Sequence, residues 1–197
     1  MIAIIDYNMG NLASVENAFK KIDANAKVIT KPEEVKNYDK IILPGVGAFG
    51  DAMSHLEETG MKDAILEFAK SGKYMLGICL GMQLLFEKSQ EFGEAKGLSL
   101  IEGEVDYFKT SLKVPHMGWN KMFTKDNPIF AGLNNPYLYF VHSLHAVCDD
   151  KYVIGYTEYD YKFVSAVNKD NIFGFQPHPE KSHNEGLKIL QNFVEIK

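Results

Sequence analysis

The sequence contains no arginine: all 21 of its basic residues are lysines, set against 26 aspartates and glutamates, for a formal net charge of −5. Without a guanidinium, no carboxylate or phosphate of a ligand can be gripped bidentately, so anion recognition falls to ammonium groups, backbone N–H groups and hydroxyls. The acidic balance, with no basic cluster, argues against nucleic acid as the main ligand. Cysteine is almost absent too. Cys79 and Cys148 stand far apart without metal-ligand spacing, so neither a disulfide framework nor a zinc site is indicated, and Cys148 reads as a buried structural thiol. No apolar run approaches the roughly 20 residues of a membrane-spanning helix. The opening Met-Ile-Ala-Ile-Ile-Asp lacks a basic leader and a cleavage site and reads as a first strand, which makes the cytoplasm the expected compartment.

What is present suits one α/β domain covering residues 1–197. Ile2 to Ile5 reads as a buried strand, followed by a turn-rich loop to Asn11 and a helix to about Lys21. Strands are expected at Ala26 to Thr30 and Lys40 to Leu43, with a short helical connection opened by Pro32, and a helical region from about Asp51 to Ser71 interrupted near Gly60. Strands alternating with helices imply right-handed crossovers and a parallel sheet. From Leu98 onward the segments are short and rich in β-branched and aromatic residues. Strands are expected at Glu102–Phe108, Asn120–Phe123, Tyr137–His142, Tyr152–Thr157, Lys162–Asn168 and Ile172–Gln176, with a hairpin around Asn168 to Asn171. Ser182 and Glu185 form a capping-box pattern ahead of a closing helix to about Ile196. The expected architecture is a mixed sheet, parallel at its centre with antiparallel additions, flanked by helices.

The chemistry concentrates at Tyr74 to Glu87. Tyr74–Ile78 has strand length and Leu80–Glu87 helical spacing, which puts Cys79 at a strand-to-helix corner. Gly77 and Gly81 flank it as Gly-x-Cys-x-Gly, the thiol counterpart of the serine nucleophile elbow. A thiol at the first turn of a helix faces unpaired N–H groups that favour thiolate, and the Leu80 N–H would point toward an oxyanion formed on an attacked substrate. The same residues equally suit a small core cysteine between spacer glycines.

A thiolate nucleophile needs a held base, and His178 in Gly-Phe-Gln-Pro-His-Pro-Glu-Lys is the best candidate. In an extended segment Glu180 would share its face and could fix its tautomer, the third role of a triad. A surface loop with a solvated carboxylate is the plain alternative. Pro44-Gly-Val-Gly47 follows a strand at the carboxyl edge of the sheet, where open α/β folds place ligands. Its glycines could turn N–H groups inward to complete an oxyanion hole with Leu80; a phosphate cradle is the competing idea, but no Gly-Lys-Ser/Thr ending or Gly-x-Gly-x-x-Gly fingerprint is present. No cofactor or metal is therefore expected.

Together with Lys-Val-Pro-His-Met-Gly-Trp-Asn120 and Tyr-Phe-Val-His-Ser143, these motifs resemble, over residues 1 to about 195, the class I, triad-type glutamine amidotransferases, and specifically the glutaminase subunits of imidazole glycerol phosphate synthase. The resemblance implies a flavodoxin-like fold, Cys79 as nucleophile on the glutamine carboxamide, His178 as proton shuttle and Glu180 as its orienter. It places glutamine against Gly45, Val46, Gly47, Gln83, His142 and Ser143. It implies ammonia transfer to a (β/α)8 cyclase partner in a heterodimer of histidine biosynthesis, with Asn11, Trp119, Tyr139 and Lys181 on the interface. Trp119, alone in a Gly-Trp-Asn turn, could equally plug the core. Pro177, Leu144-His145 and Asn8 depart from the family pattern, near the glutamine pocket and partner face. The competing readings are the same chemistry serving another acceptor, such as a surface-sugar pathway, a stand-alone cysteine hydrolase, and a non-enzymatic regulator.

Overall fold

A computed structural model describes residues 1–197. The first part alternates as expected: β1 (Ile2–Ile5), α1 (Leu12–Lys21), β2 (Ala26–Ile29), a 3-10 turn opened by Pro32, β3 (Lys40–Leu43), α2 (Phe49–Glu58), α3 (Met61–Lys70) and β4 (Tyr74–Ile78). The break between α2 and α3 falls at Gly60, whose φ of +72° glycine adopts without strain. The one-turn helix α4 (Leu80–Gln83) follows, then β5 (Phe86–Ser89), β6 (Ala95–Lys96), β7 (Ile101–Tyr107), β8 (His116–Thr124), β9 (Tyr137–His142), β10 (Leu144–Val147), β11 (Val153–Tyr159), β12 (Tyr161–Lys169), β13 (Ile172–Phe175) and α5 (His183–Glu195). None of these helices is long and apolar enough to cross a membrane.

The strands join in one sheet in the order β2-β1-β3-β4-β13-β12-β10-β7-β5-β6, and β11, β8 and β9 extend as a branch from β12. The first five are mutually parallel; every further pairing except β5 with β7 is antiparallel. Alternate residues of β1 serve opposite faces, as strand periodicity requires. Ala3 and Ile5 join a core with Phe49, Leu56, Ile65 and Phe68 of α2 and α3, whereas Ile2 and Ile4 join one with Phe19 of α1 and Ile189 and Phe193 of α5.

Four expectations are corrected. The helix after Cys79 stops at Gln83 instead of continuing to Glu87. The carbonyls of Leu84, Leu85 and Phe86 accept from the N–H groups of Leu98, Leu100 and Ser99, and this pairing draws the chain off the helix into strand β5. Trp119 lies in the long strand β8, not in a turn, and is 47% exposed, so it does not plug the core. The Ser182–Glu185 capping box does not form: Ser182 Oγ bridges Tyr139 N–H and the His178 carbonyl, and Glu185 accepts from Tyr137 N–H. Cys148 is half-buried, and burial is the main cause that pushes its thiol up to about 11.

Candidate active site

Three neighbouring parallel strands, β3, β4 and β13, deliver the candidate site from their carboxyl ends. β3 runs into Pro44–Gly47, β4 into Cys79, and β13 into Gln176–Glu180. Ile78 pairs with Phe175 in register and Cys79 N–H donates to the Phe175 carbonyl at 2.7 Å, so the cysteine emerges beside Gln176, with His178 two residues further on.

The Cys79 backbone stands at φ 55°, ψ −112°, a strained setting that small neighbours permit. A Cβ on Gly81 would lie 1.8 Å from the Leu43 carbonyl oxygen, and one on Gly77 2.5 Å from the Gly81 carbonyl oxygen. Both glycines are therefore required by the close approach of backbone at the corner. Gly45 packs on the same turn: a Cβ there would be 3.0 Å from Leu80 Cβ and 2.5 Å from Tyr7 Oη. Tyr7 donates to the Pro44 carbonyl at 2.9 Å and holds the loop from beneath. A Cβ on Gly47, at φ +105°, would lie 2.7 Å from Met9 Cε. Asn8, one of the sequence departures, adopts φ +69°, a left-handed setting that asparagine tolerates well.

His178 Nδ1 and Glu180 Oε1 are 2.7 Å apart, and both side chains are almost wholly buried. The segment is a 3-10 turn over Pro179–Lys181 and not extended; the tight turn, with Pro179 at its first position, brings the carboxylate back to the ring. The remaining ring nitrogen, Nε2, is buried without a hydrogen-bond partner. Burial is the largest single influence on His178 and opposes imidazolium, but contacts with Cys79 and Glu180 together outweigh it and raise the ring to about 10. The turn thus holds the ring oriented by Glu180, with its charged form favoured by Cys79 and Glu180.

A cavity of about 390 Å³ opens on this group, with Val46, Gly47, Gln83, Ser143 and Lys181 among its walls. Gln83 donates inward to the Leu144 carbonyl at 3.3 Å and to Gln176 Oε1 at 2.9 Å. His142 lines the cavity too, but both of its ring nitrogens are engaged, with the Leu144 carbonyl at 2.7 Å and His116 Nδ1 at 2.9 Å. Leu144 and His145, two further departures, belong to β10, where His145 Nε2 meets Tyr161 Oη at 2.8 Å. Of the expected interface residues, Trp119 and Tyr139 are cross-strand neighbours, with Trp119 stacked at 4.9 Å on His183. Asn11 caps α1 through Oδ1 to Ser14 N–H at 3.4 Å.

Sequence reading missed two residues here. Glu91 lines the cavity and accepts from Phe49 N–H at 2.6 Å; it sits in a turn after β5 that carries no motif. Gln176 is fully buried with Nε2 3.8 Å from Cys79 Sγ. Its place two residues before His178 was the available signal.

Residues 3–196 match the family model for class I glutamine amidotransferases. The chain is also similar in fold to a crystal structure of a glutamine amidotransferase at TM-score 0.80, with 18% identity, 99% of this chain and 98% of that one covered. It is similar at the same TM-score to PurLQS from Thermotoga maritima, with 19% identity, 98% of this chain and 97% of that one covered. With the cysteine corner and the histidine–glutamate turn on such a sheet, the chain belongs to the class I glutamine amidotransferases. Sequence similarity narrows this further. The chain is 65% identical to imidazole glycerol phosphate synthase subunit HisH of Sulfurimonas denitrificans, across 100% of this chain and 99% of the relative. It is 58% identical to the HisH subunit of Wolinella succinogenes and 50% identical to that of Methanocaldococcus jannaschii, each covered in full together with this chain. Within its class, the chain falls in the HisH family of glutaminase subunits.

Proposed function

We propose that this chain hydrolyses L-glutamine to glutamate and ammonia as the glutaminase subunit of imidazole glycerol phosphate synthase, with Cys79, His178 and Glu180 as its catalytic residues. The observation that carries the assignment is the buried His178 ring, fixed by Glu180 through one nitrogen and free at the other, in the segment that leaves β13 beside the strand delivering Cys79. Cys79, its thiol proton taken up by His178 Nε2, attacks the side-chain carboxamide carbon through Sγ. The C–N bond breaks as His178 gives a proton to the departing ammonia, leaving a glutamyl thioester. Water, deprotonated by His178, then splits the thioester and releases glutamate. The Leu80 N–H and the Gly45–Gly47 loop supply the donors for the tetrahedral oxyanion.

Glutamine fits the cavity by charge. Glu91 provides a carboxylate for the substrate ammonium and Lys181 a cation for its carboxylate, the lysine role expected of a chain without arginine. Gln83 Oε1 accepts nothing within the chain and is free to receive a substrate N–H, and Ser143 offers its hydroxyl.

The partner we infer is a (β/α)8 cyclase subunit, which uses the ammonia to form imidazole glycerol phosphate with release of AICAR. Support comes from the outer side of the β8–β9 ribbon. Met117 pairs with Val141, Trp119 with Tyr139 and Lys121 with Tyr137, and Met117, Trp119 and Tyr137 are 63%, 47% and 54% exposed. Such an apolar, aromatic patch beside the site suits a protein interface. No observation favours another acceptor or a stand-alone hydrolase.

The test is glutamate release by the purified chain, alone and with the organism's own cyclase barrel and its nucleotide substrate. Strong stimulation by barrel plus nucleotide, abolished in Cys79→Ala, is expected. Undiminished hydrolysis by Cys79→Ala would overturn the nucleophile, and indifference to the nucleotide would overturn the acceptor.

A further inference from the structure

One backbone carbonyl sets the direction of the hydrogen bonds behind the nucleophile. The Leu144 carbonyl can only accept, so the group of Gln83 that faces it at 3.3 Å is the amide nitrogen. That same nitrogen faces Gln176 at 2.9 Å, so Gln176 presents its oxygen there and its own N–H₂ at the other end. This nitrogen lies 3.8 Å from Cys79 Sγ, within hydrogen-bond reach of a sulfur acceptor. The orientation of Gln176 is therefore fixed by a chain of two amides, each with one permitted direction. Gln176 has no solvent exposure, and its backbone N–H is committed to the Ser165 carbonyl at 2.9 Å, so it cannot swing away.

We propose that Gln176 is a further catalytic residue of the glutaminase reaction, its buried amide donating to Cys79 Sγ and stabilising the thiolate, with Gln83 as the positioning residue that aims it. The proposal rests on Cys79 being the nucleophile. The neutral thiol has another outlet, donation to the Val141 carbonyl at 3.9 Å, which ends when the proton leaves; the Gln176 contact strengthens at that moment because its acceptor becomes an anion. A four-residue helix has little dipole to offer, so side-chain donors carry more of the task. His178 supplies the opposite charge; Gln176 supplies a fixed neutral dipole that needs no reorganisation as charge develops.

The test is the rate of iodoacetamide alkylation as a function of pH, in the full chain carrying Cys148→Ser so that one thiol is followed. In Gln176→Met, which keeps length and loses the donor, the rate at pH 7 should fall about tenfold and meet that of the parent at high pH, so that the midpoint of the profile moves up. Gln83→Met, read in the same way, should move the midpoint in the same direction by less, and keeps the proposal testable if Gln176→Met does not fold. An unmoved midpoint in both variants, or a loss of rate equal at every pH, overturns the role of Gln176 while leaving the nucleophile in place. Alkylation that persists in Cys79→Ala with Cys148 present, at the rate of the unmodified sequence, shows that the reacting thiol is not Cys79 and overturns the nucleophile assignment as well.

Discussion

Gly77 and Gly81 do more for Cys79 than the residues that touch its sulfur, because they decide whether its strained backbone exists at all. The conformation at φ 55° costs on the order of 1–3 kcal/mol and persists only where the surroundings over-determine it. Here the constraint is backbone on backbone. A methyl at Gly81 meets the Leu43 carbonyl oxygen at 1.8 Å, and no rotamer change relieves a clash with main chain. Gly81→Ala should destabilise the fold by about 3 kcal/mol or more, seen as a lowered urea midpoint with unchanged slope. Ser182 is a second residue whose value is local. Its hydroxyl satisfies Tyr139 N–H and the His178 carbonyl at 2.9 and 2.6 Å in a buried site. Ser182→Ala leaves Tyr139 N–H unpartnered and the His178 carbonyl with the Lys181 N–H alone, and should cost about 1–3 kcal/mol, while a loss below 0.5 kcal/mol would show that neither bond holds the histidine turn.

The β8–β9 ribbon shows how one element can serve two surfaces. Its outward residues form the exposed aromatic patch, and its inward residues pair His116 with His142. Direction is again set by the Leu144 carbonyl. It takes the Nδ1 proton of His142, whose Nε2 must then accept from His116 Nδ1, and His116 Nε2 accepts from Asn120 at 3.2 Å. Both rings are held neutral. Burial lowers His116 to about 4 and, with neighbouring histidines opposing a second charge, His142 to about 3. Phe108, Phe140, Tyr159 and Phe163 around the pair supply no anion. Their ordinary value near 6.5 applies in the unfolded chain, so the unfolded state gains protons first as pH falls. The stability from this pair is full above pH 6.5 and is lost progressively toward pH 4 and 3. Ring resonances of His116 and His142, followed by NMR from pH 7 to 5 in the folded chain, should not titrate; titration of either above pH 6 would break the assigned directions.

At the scale of the molecule, one sheet brings the cavity and the exposed aromatic patch of the β8–β9 ribbon together. The five parallel strands place Cys79 and His178 at one edge, and the antiparallel branch folds β9 over that edge, where the Tyr139 carbonyl accepts from His178 N–H at 2.8 Å. A partner seated on Trp119 and Tyr139 therefore presses on the strand that holds His178. Trp119→Ala removes a half-exposed aromatic from the centre of the patch and should weaken binding of the cyclase subunit by tenfold or more in calorimetry, with the thermal midpoint of the free chain little changed. Unaltered affinity would move the interface elsewhere.

The sequence by itself determined the parallel core, because four-residue apolar strands between amphipathic helices have few other ways to bury both faces. It also singled out Cys79, His178 and Glu180, through Gly-x-Cys-x-Gly and His-Pro-Glu taken together with the family resemblance, but the segment it read as extended is a 3-10 turn that only the structure shows. The end of the helix at Gln83 and the use of Ser182 as a bridge were decided by pairing with Leu98–Ser99 and Tyr139, segments that local pattern does not see. Glu91 entered the cavity by the same kind of distant placement. Gln176 is the clearest case: it stands two residues before His178 but was missed, because its aim at Cys79 depends on β4 and β13 lying side by side in one register. Hydrogen-bond direction there passes through residues 97 and 93 positions apart, and only the closed sheet brings them within reach.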